Sequence, residues 1–461
     1  MRIEKDTLGE VQVPAEALYG AQTQRAVQNY PISGLREHPT FIRAFILIKR
    51  AAALANRELG ALDEQIANAI IAACDRVLGD FASFRPHFVV DVFQAGAGTS
   101  FNMNCNEVLA NLANVSLGGK LGEYKPVHPN DHVNMAQSTN DVFPTAIRVA
   151  GVMLLARLMP ELQRLGDTFD EKGAEFADVI KSGRTHLADA VPVTLGQEFR
   201  AYAAAVRRAT RILSDASNEL LILGIGGTAV GTGMNAPRGY RQALIRHLNE
   251  STRLEFKATD DMREAMQSQL PVVAVSAALR NLALELTRIT NDLRLLSSGP
   301  LTGLAEILLP AVQPGSSIMP GKVNPSLLEC MNQVLFHIVG ADTAVAYASQ
   351  AGQLELNVMM PLMAFELTFS IEILKNFLPV YIDKCIRGIE PNRQRAESYY
   401  ASSPSLVTVL NPIIGYAAAA EIAKESVKTG KHIPDLLREK QLLPEERIAE
   451  IFTPEFLTGS E

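Results

Sequence analysis

The chain has 461 residues, 47% of them hydrophobic, enough to fill the cores of two or three domains. Its 43 Lys and Arg stand against 50 Asp and Glu, and the net charge of -7 is spread along the chain, leaving no basic stripe for nucleic acid or an anionic membrane. Met1 leads into the polar stretch Arg2-Ile3-Glu4-Lys5-Asp6 without an apolar leader, and no uninterrupted apolar run of membrane-spanning length follows, so a cytoplasmic protein is expected.

Alanine, leucine and long polar residues dominate while alternating β-branched runs are scarce, so helix is the expected element almost throughout. Phe41 to Leu59 reads as the first long helix. Gln94 to Asn106 reads as a loop, in which Gly96-Ala97-Gly98 precedes Thr99, Ser100 and Asn102. Such a loop sets backbone N–H groups against a carboxylate, or else opens a helix capped by Thr99 or Ser100.

Val127 to Pro144 is the next expected loop, carrying the polar run Gln137-Ser138-Thr139-Asn140-Asp141. Hydroxyl, amide and helix N-terminus together suit an anionic ligand, and a simple capping box would use the same residues. Leu155, Leu158, Leu162, Leu165 and Phe169 then mark a long helix. Lys181 to Val193 reads as a third loop, where Gly183-Arg184-Thr185-His186 holds the one histidine in such a polar setting. Leu195 to Leu223 is helical in pattern. Gly231 to Ala236 loosely matches a dinucleotide fingerprint, but a helical pattern precedes it where a strand is required, so no dinucleotide cofactor is expected.

Between Pro271 and Pro300, Val275, Leu279, Leu282, Leu286, Ile289, Leu293 and Leu296 step by four and three, one apolar seam along a bundle helix. Helices this long carry more apolar surface than one chain covers, which predicts a homo-oligomer. Gln313 to Pro325 is the fourth loop: two glycines and two prolines shape a segment bearing Ser316, Ser317, Lys322 and Asn324. Lys322 is a cation able to neutralise a carboxylate as negative charge grows on it. Cys74, Cys105, Cys330 and Cys385 are far apart and lack zinc spacing. Hydroxyls, amides, one His and one Lys without a metal set suit a small dicarboxylate.

Gly315-Ser316-Ser317-Ile318-Met319-Pro320-Gly321-Lys322-Val323-Asn324-Pro325 resembles the signature of class II fumarases and aspartases. Gly98-Thr99, Asn102-Met103-Asn104, Ser138 to Asp141, Thr185-His186, Gly227 to Gly233 and Glu355 to Val358 are further matches, and the chain is identified as a member of that superfamily over essentially its whole length. Ser100, Thr139 and Gln353 are similar to the aspartase branch, where fumarases carry Gln, Ser and Asn.

The resemblance implies an all-α, three-domain fold (1–137, 138–392, 393–461) whose central long helices assemble into a homotetramer, with active sites shared between subunits and no cofactor or metal. It implies anti elimination of ammonia from L-aspartate, giving fumarate through an enediolate. Spacing alone favours His186 as the base, because a serine needs help from its surroundings. The resemblance assigns that role to Ser316, with Lys322 stabilising the enediolate and His186 held by Glu329. Thr99, Ser138, Thr139, Asn140, Thr185, Ser317 and Asn324 would bind substrate.

The chain departs from the family at Ala188, Leu301, Met360 and Ala341, where Gln, Arg, Glu and Asn are usual. A fumarase acting on L-malate and a carbon–nitrogen lyase acting on a modified aspartate are the competing enzymes. A catalytically silent, crystallin-like oligomer is the reading from another class, and intact Ser316, Lys322, Asn324 and His186 argue against it.

Overall fold

A computed structural model describes residues 1–459. Among the described residues helices dominate, and strands are confined to four two-stranded sheets. The chain divides into two compact units, Met1–Met159 with Arg211–Asn281 and Phe336–Leu374, and Pro160–Thr210 with Leu282–Leu335 and Lys375–Glu461. The cuts fall within the long helices Thr139–Glu175, Leu195–Ser217, Leu270–Leu296, Ser326–Gln350 and Met360–Lys384, so each unit owns a part of each.

In the first unit the helix Pro39–Glu58 begins where Pro39 fixes the first helical φ and the His38 ring accepts the Thr40 N–H. Its Phe41 and Phe45 meet Phe101 and Phe143 at ring-centroid distances of 5.0 to 5.9 Å, an aromatic core fully closed to solvent. In the second unit Phe169, Phe176, Phe199 and Tyr202 form the equivalent cluster. The short helices after Arg393 close over a core of their own, centred on Leu406, Leu410, Ile422, Leu436, Leu437 and Ile451.

The seam read between Pro271 and Pro300 is buried from Val275 to Leu296, with no member more than 6% exposed. Each of these side chains contributes roughly 1.5–3 kcal/mol by leaving water. Thr139–Glu175 and Leu270–Leu296 are by composition long and apolar enough to cross a membrane, and 72% and 44% of their most apolar windows lie inside the fold. A core helix of a bundle has the same composition because it is packed on most sides.

Three of the expected loops are partly regular structure. Helix begins at Thr99 and at Thr139, not after Asn106 or Pro144. Pro144 stands in the second turn of its helix, where its missing N–H removes one i→i−4 bond. Ile180–Thr185 and Ala188–Thr194 pair as an antiparallel hairpin. Its exposed, polar positions carry no apolar alternation, so pattern reading passes over it.

Candidate active site

In the first unit, the turn Gly96–Gly98 aims a helix at Thr99. Gly98 caps that helix with φ 85, and a Cβ there would lie 2.1 Å from the Phe143 ring, so both backbone and packing demand glycine. Neither Thr99 nor Ser100 caps with its side chain, contrary to the simpler reading of this segment. The Val358 carbonyl accepts the Ala97 N–H at 2.7 Å, and Gln94 Oε1 accepts the Phe101 N–H at 2.9 Å. Gln94 in turn donates through Nε2 to Glu37 Oε1 at 3.1 Å. Glu37 is fully buried, and burial together with the nearby Asp91 carboxylate pushes its carboxyl up to about 8. The result leaves Thr99 exposed at the positive end of a helix.

Ser138, Thr139 and Asn140 start the next long helix. Asp141 accepts the Ser138 N–H at 2.9 Å and, through its other oxygen, the Gly226 and Thr228 N–H groups at 3.0 Å each. Asn140 donates to the Ala229 carbonyl at 2.8 Å. The glycine-rich segment around Gly226 to Ala229 is thereby tied to the polar run. Burial pushes the Asp141 carboxyl up to about 6 against the three N–H bonds that favour its charge.

Asn102, one turn into the Thr99 helix, donates to Thr139 Oγ1 at 2.9 Å and joins these two segments. Sequence reading singled out neither this contact nor Lys49 and Asn134 behind it. The available signal was compositional: Asn102, Asn104, Asn106, Asn111 and Asn114 interrupt an otherwise apolar helix and all are buried. Asparagines inside an apolar helix signal a hydrogen-bonded interior network.

In the second unit, Thr185 and His186 stand exposed at the tip of the hairpin, whose two-residue turn has φ 56 at His186 and φ 58 at Leu187. Its root is charged and buried. Lys181 Nζ lies 2.7 Å from Glu198 and 3.2 Å from Glu306, and Arg184 makes a bidentate pair with Glu306 at 2.9 Å per bond. Two cations balance two carboxylates, so the group is neutral as a whole.

The segment Gln313 to Pro325 is an exposed loop with internal order. Gly315 donates to the Lys322 carbonyl at 2.8 Å, and Asn324 Nδ2 donates to the Gly315 carbonyl at 2.6 Å. A Cβ at Gly315 would lie 2.6 Å from the Lys322 carbonyl. This closure folds the chain so that Ser316 Oγ accepts the Ile318 N–H at 3.2 Å and the Met319 N–H at 3.0 Å. Ser317 and Lys322 are exposed, Asn324 and Glu329 half-buried. Among the described residues Lys322 has no ion pair, and no hydrogen bond joins Glu329 to His186 or the hairpin tip to the Ser316 loop.

The candidate residues therefore form two groups, Thr99 with Ser138, Thr139 and Asn140 in the first unit, and Thr185, His186 and the Ser316 loop in the second. The departures from family pattern also divide. Met360 and Ala341 are buried, where an apolar side chain leaves no polar group unpaired, whereas Ala188 and Leu301 are exposed, Leu301 by 87%. Among the described residues no group of three or more His, Cys, Asp or Glu is placed to hold a metal.

A family model described as Lyase matches residues 9–340, and one described as Fumarase C C-terminus matches residues 406–459. The chain is 45% identical to an aspartate ammonia-lyase of Bacillus subtilis, over 99% of this chain and 96% of that protein. It is 48% identical to an aspartate ammonia-lyase of Pseudomonas aeruginosa, over 98% and 96%. Among solved structures, the fumarate lyase:delta crystallin from Brucella melitensis bound to cobalt superposes with a TM-score of 0.96 at 44% identity over all of both chains. A class II fumarase from Schistosoma mansoni superposes with a TM-score of 0.94 at 37% identity over 98% of each.

Proposed function

The chain belongs to the lyase family that includes the class II fumarases and aspartate ammonia-lyases, and from that premise we propose that it is a carbon–nitrogen lyase converting L-aspartate reversibly to fumarate and ammonia. Ser316 is the base. It takes a proton from the carbon beside one carboxylate, whose electrons pass into that carboxylate as a dianionic enediolate. The electrons then return to form the double bond as the Cα–N bond breaks and ammonia leaves on the opposite face.

The observation that carries this chemistry is the pair of backbone N–H groups on Ser316 Oγ. Bringing an alcohol from a water-like pKa to near neutrality asks for on the order of 10 kcal/mol. Two N–H donors to an alkoxide supply roughly 3–6 kcal/mol of that. Exclusion of water around a closed loop supplies the remainder, since preorganised dipoles act more strongly in a dry site. Lys322, exposed and without an ion pair among the described residues, is the cation that meets the enediolate.

Thr99, Ser138, Thr139, Asn140, Thr185, Ser317 and Asn324 bind the two carboxylates and the amine, and His186 is a further hydrogen-bonding partner oriented by Glu329. The two groups combine in a cytoplasmic homotetramer whose sites draw loops from three subunits. Support comes from apolar side chains left outside on the bundle helices, including Leu284, Phe336, Tyr347 and Phe369. The three-domain division 1–137, 138–392 and 393–461 accompanies this reading, and the separate core after Arg393 supports its last boundary.

Ser100, Thr139 and Gln353 favour ammonia over water as the leaving group. Purified protein is given L-aspartate or L-malate and fumarate is followed by ultraviolet absorbance. Fumarate from L-aspartate alone is expected; formation from L-malate would make the chain a fumarase, and silence with both would point to a modified aspartate.

A further inference from the structure

Lys49 is fully buried in the first unit, and its Nζ donates to Asn134 Oδ1 at 2.9 Å. The same oxygen accepts from Asn106 Nδ2 at 3.2 Å and Asn102 Nδ2 at 3.3 Å, while Asn134 Nδ2 donates to the Gln137 carbonyl at 3.2 Å. Asn102 Nδ2 makes its second bond to Thr139 Oγ1.

These contacts fix directions as well as positions. A carbonyl accepts only, so the Gln137 carbonyl takes the Asn134 NH2 group and leaves the Asn134 oxygen to Lys49, whose amine donates N–H in either charge state although burial pushes it down to about 7. Asn134 therefore turns its oxygen to Asn102, and Asn102 answers with its NH2 group, its own Oδ1 being left buried without a partner. That NH2 occupies a lone pair of Thr139 Oγ1, so the Thr139 hydroxyl hydrogen points elsewhere. Among the described residues Thr139 Oγ1 donates no hydrogen bond, although Thr139 is only 7% exposed. A buried hydroxyl whose hydrogen lacks a partner is primed for an incoming acceptor.

We infer that Asn102, oriented through Asn134 by Lys49, is a positioning residue that makes Thr139 an obligate hydrogen-bond donor to a substrate carboxylate. The inference rests on the reading of Thr139 as a substrate ligand. It adds the device that sets the polarity of that hydroxyl and favours an anionic oxygen over an ammonium at this position. An uncommitted threonine would serve either.

A double-mutant cycle on the full-length enzyme tests it, using kcat/KM for L-aspartate and the calorimetric Kd of succinate, which binds without reacting. Thr139→Val removes the hydroxyl at constant shape. Asn102→Asp replaces the donor with an acceptor, turning the Thr139 hydrogen inward. Each single variant is expected to lose roughly ten- to hundred-fold in both measures. The double variant should match Thr139→Val within about two-fold, because the hydroxyl through which Asn102 acts is gone.

If Thr139→Val weakens binding but Asn102→Asp does not, or if the two losses multiply in the double variant, the inference is overturned while Thr139 remains a ligand. If Thr139→Val changes neither measure, the substrate-site reading itself fails at Thr139, and the inference with it. Should Asn102→Asp not fold, Asn102→Ala replaces it. That variant frees the hydroxyl to rotate, and its smaller loss should again vanish in the Thr139→Val background; a loss of equal size in that background would contradict the inference.

Discussion

Replacing Glu37 by Gln should change the sign of its own effect on stability between acid and alkaline pH. The Glu37 carboxyl stands at about 8 in the fold against an ordinary 4.5, raised by burial and by Asp91. Between those two values the folded chain holds a proton that the unfolded chain has released, so the wild type loses stability as pH rises, by about 5 kcal/mol in total. The amide has no such proton. It keeps an acceptor for Gln94 Nε2 but places N–H groups where Glu37 Oε2 has no partner, which costs roughly 1–3 kcal/mol at every pH.

The variant should therefore be less stable than wild type by about 1–3 kcal/mol at pH 4.5 and more stable by about 2–4 kcal/mol at pH 9. Urea midpoints of both proteins, taken at one protein concentration across this range, measure the difference directly and cancel the titration of Asp141 and other shared groups. A difference that stays flat with pH would refute the reasoning, because it would mean that Glu37 carries no raised pKa.

Two further substitutions probe the supports of the site. Glu306→Gln removes the counter-charge shared by the buried Lys181 and the half-buried Arg184 and should cost roughly 3–5 kcal/mol, read as a lower urea midpoint together with faster proteolysis at the Thr185–Leu187 turn. Gly98→Ala forces a Cβ into the Phe143 ring at a left-handed position and should lower both thermal stability and kcat/KM for L-aspartate, whereas Gly118→Ala, left-handed but with open space around it, should lower stability alone.

The bundle was legible because burial repeats along it. Leu279, Leu282, Leu286 and Ile289 face the core at the period that the sequence displays. The hairpin from Ile180 to Thr194 was not, since it buries too few apolar side chains to leave a period and depends instead on the distant Glu198 and Glu306. The start of the Thr99 helix was legible only as the alternative to a loop, with Thr99 or Ser100 as its cap, because the glycine that in fact caps it in a left-handed conformation reads as loop.

The site residues were legible as residue types gathered in polar segments, and their roles came from resemblance. Nothing local to Ser316 announces a base. In the structure its oxygen accepts the Ile318 and Met319 N–H groups two and three residues on, beside the Asn324 contact to the Gly315 carbonyl. The network behind Thr139 draws Asn102 and Lys49 from far away in sequence onto the nearby Asn134, and only the fold assembles it.

The most direct test of the account compares binding with turnover when the Ser316 hydroxyl is removed. Ser316→Ala should bind succinate as wild type does, while fumarate and ammonia production from L-aspartate falls by at least roughly a thousand-fold, as loss of a base acting only in the transition state requires. Retained turnover in that variant, with binding intact, would contradict the assignment of Ser316 as the base and return His186 to that role.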